Sequence, residues 1–528
     1  MWTVGSSAAS MRAFHLALAS LVALEAADRW PTLAWLYSDE GGLPRSSMLP
    51  LGDDGWFVRV VCVHAWYGSA RWVQCLTLLQ VCAAAALGSG FHPRAAALLC
   101  WLLHISSCLR TPPLIYILDR YLHLLLLAAV FLPTPSARGR PRASVASLCL
   151  AAQLCFIYSD AGWGKLLDPA GSWTSGSAPR AALDTYLLHT SIGRAVRTLL
   201  GVSRTMQLAG RAVVAVEITA APLAFLFPSL RRGAILAAWC VHVGIALCMR
   251  NTALLSFAAC TAWVPFWDVE VDPVPAAGGR WSSPRVAFVR FRPREAHQAP
   301  GAADPQADSP PRLSPELRSS PVLRLHTPVP VRPSPPLASP LAPPTSALRL
   351  TRVDATAACG LVWRHAADIL LVLFALATAH HQWSGGAGPS CGGHASPDAV
   401  RRMLLHNRWN VFTSAESHVM WEVAPARISD GSVVDLWRDQ AEISWAVPTG
   451  EEPARRRGRW RAFPYLAERG EEEQAAFWGA LCDEWERHSP NEVLRCAHCR
   501  RGLLENDLGG KKLPLKHLKA LRGDPEPA

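Results

Sequence analysis

The chain has 528 residues, 50% of them hydrophobic and 18% charged, with a mean hydropathy of +0.14. This excludes a disordered, collagen-like or small disulfide-framework protein and points to a membrane protein. The formal net charge is +11, yet residues 384–528 are balanced at 20 Lys+Arg against 21 Asp+Glu, so the basic excess lies in the apolar part, where loop arginines account for it and nucleic-acid binding is not expected.

Nine apolar stretches follow in chain order: Met11–Ala27, Trp72–Gly88, Ala95–Leu109, Leu114–Leu132, Ala143–Tyr158, Met206–Phe227, Gly233–Met249, Thr252–Trp267 and Ala366–Ala379. They predict a mainly α, polytopic transmembrane bundle of about nine spans, with the lipid bilayer as its first partner. Several are shorter than the ~20 residues that cross a ~30 Å core, so flanking residues or burial inside the bundle must complete them. Arg12, at the edge of the first stretch, is the only basic residue ahead of its apolar run, and no small-residue cleavage site stands before Asp28, which predicts a retained helix.

Arg138, Arg140 and Arg142 cluster between the fourth and fifth stretches. Placing that loop in the cytosol puts Arg12, Arg94, Arg231, Arg232 and the segment after Trp267 on the same side, as short basic loops require. The opposite face then receives the loop from Asp28 to Arg71, the loop holding Lys165 and the whole C-terminal domain. The expected organisation is a bundle over 1–267, a linker over 268–352, a final helix within 353–383 and a lumenal or periplasmic α+β domain over 384–528. The chain is expected in the endoplasmic reticulum or plasma membrane.

Residues 268–350 hold 18 of the 42 prolines, which predicts a disordered, partly polyproline cytosolic linker. Beyond the last stretch, Val419, Trp421 and Val423 alternate, Ser429-Asp430-Gly431 reads as a turn, and Val433, Asp435 and Trp437 alternate again, a hairpin pattern. Trp478, Leu481, Cys482 and Trp485 share one face of a helix that stops at Ser489-Pro490. Most of the 15 cysteines sit in apolar runs as small core hydrophobes. Cys391, Cys482, Cys496 and Cys499 could bridge if their region is lumenal.

Chemistry is expected where polar groups enter the membrane, because an ionisable side chain there is costly. Glu217 and His242 lie near the middles of the sixth and seventh stretches, and this depth predicts that they meet. Asp119, Arg120 and His123 enter the fourth. The segment leaving the fifth runs Tyr158-Ser159-Asp160-Ala161-Gly162-Trp163-Gly164-Lys165, with glycines that let the chain bend. Lys165 is the only lysine in the first 510 residues of a chain with 47 arginines. An interfacial anchor would be expected as arginine; a lysine can lose its proton, which favours a general base. Lys165, Asp119, Glu217 and His242 are therefore the candidate catalytic residues.

Ala161-Gly162-Trp163-Gly164-Lys165 with Trp173 and Gly176 resembles the segment around the catalytic-base lysine of vitamin K-dependent gamma-carboxylases and their relatives, the horizontally transferred transmembrane (HTTM) domain proteins. Ser38-Asp39-Glu40-Gly41-Gly42-Leu43-Pro44 is similar to the loop after that family's first span. Leu87-Gly88 with Arg94, Arg110-Thr111-Pro112-Pro113 before Asp119-Arg120, and His242 with Met249 resemble later spans. Asn407-Arg408-Trp409-Asn410-Val411-Phe412, Asp430-Gly431, Val434-Asp435-Leu436-Trp437 and Trp460-Arg461 resemble the tail of many bacterial members. Everything but the proline-rich linker is covered. The resemblance implies a lumen- or periplasm-facing site with Lys165 as base, a lipid-soluble small-molecule substrate, and a reduced vitamin K-type quinol as cofactor.

Two departures bear on this. Arg110-Thr111-Pro112-Pro113 replaces the carboxylases' asparagine-rich turn with its histidine, and a tail of about 145 residues has no counterpart of their propeptide-binding region. Both argue against carboxylation of a protein glutamate and for quinol-dependent or lipid-directed chemistry. Cys496-Ala497-His498-Cys499 offers three ligands where a structural zinc needs four, so no metal centre is expected. No phosphate loop, His-Glu-x-x-His or Gly-x-Ser-x-Gly motif occurs. The competing expectation is a non-catalytic maturation factor that binds a lumenal protein client.

Overall fold

The structure is a computed structural model. It describes residues 5–48, 60–134, 142–184, 189–199, 203–268, 366, 368–378 and, in the tail, 404, 409, 418–428, 432–438, 440, 442–444, 471–488, 494–497 and 500–505. The expected proline-rich linker lies almost wholly outside the described residues.

The described chain is mainly helical. Its principal helices are α1 (Ala8–Arg29), α2 (Ala70–Ser89), α3 (Pro93–Arg110), α4 (Ile117–Phe131), α5 (Val145–Leu166), α6 (Ser203–Leu226), α7 (Arg231–Cys248) and α8 (Ala253–Trp263). A short apolar helix, α9, spans Asp368–Thr378, and α10 (Glu471–His488) lies in the tail. Five helical segments are long and apolar enough to cross a membrane: Ala8–Tyr37, Ala70–Ser89, Val145–Leu166, Arg204–Leu226 and Arg231–Cys248. They carry exposed Leu16, Leu24, Leu78, Leu148, Leu208 and Leu236, an outward apolar surface suited to lipid. The inward faces share one core in which Phe14, Leu18, Leu87, Leu122, Leu154, Ile235 and Trp263 are buried.

Local sequence explains the helix ends. Ser7, Ser69 and Ser144 precede α1, α2 and α5, and each accepts the free backbone N–H three residues on. Pro31 cannot donate to the helical ladder, so α1 tightens into a 3-10 turn at Trp30–Thr32 before continuing as Leu33–Tyr37. Pro112 and Pro113 form a 3-10 turn that delays α4 to Ile117, leaving only 15 residues of helix.

Contacts sort the loops into two ends. At one end the strand β1 (Gly5–Ser6) pairs antiparallel with β2 (Arg142–Ala143), Ser7 donates to the Asp268 carbonyl at 3.2 Å, and Arg232 meets the Asp268 carboxylate at 3.0 Å. At the other, the loop after α1 folds back: Asp39 donates its N–H to the Gly68 carbonyl at 2.8 Å, and Glu40 accepts from the Ala70 N–H at 2.9 Å.

The tail packs on the second end. Ala424, Ala426, Val434, Leu436, Phe477 and Leu481 share a buried cluster with Leu33, Leu36, Leu43 and Leu114. The expected hairpin needs correction. Strand β3 (His418–Val423) pairs with β7 (Arg500–Glu505), and it is β4 (Pro425–Ile428) that pairs with β5 (Val433–Asp435) and, on its other edge, with β6 (Leu494–Ala497). Only four residues of sequence separate β4 from β5, a connection short enough to join only the strand directly before it, so β4 takes the hairpin position and β3 pairs with a distant partner.

Candidate functional site: a buried lysine–glutamate pair

Lys165 lies inside the last turn of α5, not in a loop beyond it. The helix continues past Tyr158 because the polar residues that follow have partners inside the fold. Gly162, three residues before Lys165, faces α6: a Cβ there would stand 2.7 Å from Ile218 Cγ1 and 3.0 Å from the Ile218 backbone nitrogen. The glycine therefore serves the close crossing of two helices rather than a bend. That crossing sets Glu217 against Lys165.

Lys165 Nζ stands 3.0 Å from Glu217 Oε1 and 2.8 Å from Oε2, and 5.2 Å from the centre of the Trp173 ring. The lysine side chain is 5% exposed and the glutamate 12%. Trp173 is held by Gly176, whose φ of +84° is left-handed and whose Cβ position lies 2.5 Å from the Gln207 nitrogen of α6, so no other residue fits. At the start of the short helix Ser172–Ser175, Asp168 accepts the Ser172 N–H at 2.9 Å, and hydrogen bonds from Ser172 hold its carboxyl below the usual range.

The expected pairing of Glu217 with His242 does not form. His242 Nε2 meets the Tyr158 hydroxyl at 2.7 Å, and that hydroxyl accepts from Trp263 Nε1 at 2.8 Å. This polar set, on α5, α7 and α8, shares α5 with the Lys165–Glu217 pair. Tyr158 and Trp263 were not among the expected site residues, since aromatic residues in apolar stretches are by default core.

Asp119 is not part of the pair or of this set. Its carboxylate accepts the Tyr116 N–H at 3.0 Å and caps α4, and its carbonyl oxygen lies 2.9 Å from His104 Nε2. It belongs to a second buried cluster that sequence reasoning missed. There Arg29 reaches Glu25 at 2.6 Å, Ser107 at 2.7 Å and Gln80 at 3.3 Å. The signal was present: Glu25 interrupts the first apolar stretch four residues before Arg29, the helical ion-pair spacing. His123 accepts from Trp101 Nε1 at 2.8 Å.

At the edge of that cluster Asp39 bridges Arg45 at 2.7 Å and the fully buried Arg110 at 3.1 Å. Burial alone would raise the Asp39 carboxyl, but hydrogen bonds from Arg45 and the Arg110 charge outweigh it and hold it low. Beside it, burial and the charges of Arg29 and Arg110 push His64 down to about 3.

Two tail residues from the family-like motifs are placed. The Trp409 N–H donates to Asp160 at 2.5 Å, and its ring meets Tyr121 edge-on at 5.1 Å, both inside the bundle core. Asp435 is buried and accepts the N–H groups of Ala424 and Trp437, each at 3.0 Å; burial raises its carboxyl despite these bonds. Cys482 is a free thiol, while Cys391, His498 and Cys499 lie outside the described residues. Comparison with protein-family models, with curated proteins and with solved structures returns no match, so the family likeness rests on the quoted motifs.

Proposed function

We propose that this chain is an integral membrane enzyme of the HTTM, carboxylase-like class in which Lys165 and Glu217 together accept a proton from a lipid-soluble or quinol-type substrate. The observation that carries the reading is the buried Lys165–Glu217 pair. Lys165 becomes a base only as the free amine, and Glu217 Oε1, accepting its hydrogen bond at 3.0 Å, supplies the route: one proton passes from Nζ to the carboxylate, and the amine then takes a proton from the substrate. His242 and Tyr158 act as relays beside it. Trp173 and the apolar bundle around the pair exclude water and suit an apolar substrate. A reduced vitamin K-type quinol, whose hydroxyl is the acid such a base would deprotonate, fits this class of ligand.

In this reading about nine spans cross the membrane, β1, β2, Arg232 and Asp268 gather on the cytosolic side, and the tail caps the lumenal or periplasmic end. The tail's use of Phe477, Leu481 and Leu436 to cover the bundle favours the enzyme over a client-binding factor, because these apolar groups are no longer available to a client.

Lys165→Arg tests the reading. It keeps the positive charge and the pairing with Glu217 but cannot lose a proton. A general base predicts a folded, inactive protein, measured by rescue of a deletion strain or by turnover of the substrate found on comparing lipids and metabolites of cells with and without the protein. Rescue by Lys165→Arg at wild-type expression would end the reading.

A further inference from the structure

The second cluster contains donors that the proposed proton chemistry does not use. We propose that His104, Cys108 and Asp119 bind a divalent transition-metal ion of zinc's class between α3 and α4. His104 and Cys108 are four residues apart on α3 and so share a face, and Asp119 opens α4 opposite them. One ligand atom from each lies within 4.8 Å of the other two. His104 Nε2 stands 3.8 Å from Cys108 Sγ and 2.9 Å from the Asp119 carbonyl oxygen. Ligand atoms bound at about 2.0–2.3 Å to a common ion are roughly 3–4 Å apart, so the 3.8 Å between His104 and Cys108 already fits one, and the carboxylate, within 4.8 Å of both, would close in by up to about 1 Å.

The donor chemistry selects the ion. Imidazole, thiolate and carboxylate suit zinc and its neighbours, whereas magnesium and calcium prefer oxygen alone. Charge also balances: Cys108 releases its thiol proton to solvent, and thiolate plus carboxylate neutralise a divalent ion in a site where none of the three residues is more than 5% exposed. Binding at Nε2 replaces its hydrogen bond to the Asp119 carbonyl and moves the ring proton to His104 Nδ1. Three protein donors leave one position for the Asp119 carbonyl or for a water, as in zinc sites that act on a ligand.

The test uses the full-length protein purified in detergent, incubated with Zn2+ or Co2+, desalted and assayed by elemental analysis and, for cobalt, by the thiolate-to-metal absorption band. The expected result is about one ion per chain, with affinity lowered about 10-fold or more in Cys108→Ser and His104→Gln. Cys82→Ser, which alters an exposed cysteine on α2, should match wild type. Because core variants can misfold, a second measurement is made on wild type alone: a chelator should lower its thermal midpoint and added Zn2+ should restore it. Wild type without bound metal, Cys108→Ser that keeps the cobalt band, or a midpoint indifferent to chelation would each overturn the proposal.

Discussion

The Lys165–Glu217 pair is a case in which removing one partner should harm more than removing both. Lys165→Met leaves a carboxylate with little access to water, a loss of about 3–5 kcal/mol for a buried pair, whereas Lys165→Met with Glu217→Leu replaces both charges by packed apolar groups and should recover most of it. Unfolding in detergent measures the cycle, and additive losses would show that the two side chains do not depend on each other. Asp39 should leave its mark on acid stability. Its folded carboxyl titrates below the ordinary value of 3.8, so the stabilisation from Arg45 and Arg110 is complete above that value and is lost as pH falls through the lowered one. Asp39→Asn should flatten that acid limb of the thermal midpoint and leave the neutral region parallel to wild type. Lysine usage singled out Lys165 in the sequence, but its partner was not legible. Depth along two helices matched Glu217 to His242, while the helix crossing at Gly162, which no periodicity reports, delivered Glu217 to Lys165 instead.

Among the elements, helices were legible where apolar composition alone builds them and were misjudged where polar residues have buried partners. Trp72–Gly88 falls within α2, but the fifth stretch was ended at Tyr158 although α5 runs on to Leu166, since Asp160 and Lys165 look like an exit until Trp409 and Glu217 are in place. Alternation located strands at 419–423 and 433–435 but paired them with each other, whereas β5 pairs with β4 and β3 with β7; neither partner carries an alternation that marks it in the sequence. The crossing of α5 and α6 is testable by volume. Gly162→Ala places a methyl against backbone and should destabilise by about 1–3 kcal/mol in detergent unfolding. Gly244→Ala on α7 meets nothing within 4 Å and should instead stabilise by about 0.5–1 kcal/mol, since it removes only backbone freedom from a helix interior. Equal effects would mean that the close approach at Gly162 is not required.

For the whole molecule, the proposed topology places Ala528 and Ser320 on opposite sides of the membrane, because an odd number of spans separates them. Protease digestion of sealed vesicles should remove a tag near Ser320 from one face and a tag at Ala528 only from the other; removal of both from the same side would sink the nine-span count. The contact between Trp409 and Asp160 also carries a consequence in time. Trp409 follows Asp160 by 249 residues, so at about 5–20 residues per second the ribosome delivers it roughly 10–50 seconds later. Throughout that interval α5 already exists while the groups that complete its far end are still being translated. A nascent chain halted anywhere in the proline-rich stretch would hold Asp160 without its backbone donor and Tyr121 without its ring neighbour, a recognisable unfinished state for membrane quality control to retain or degrade.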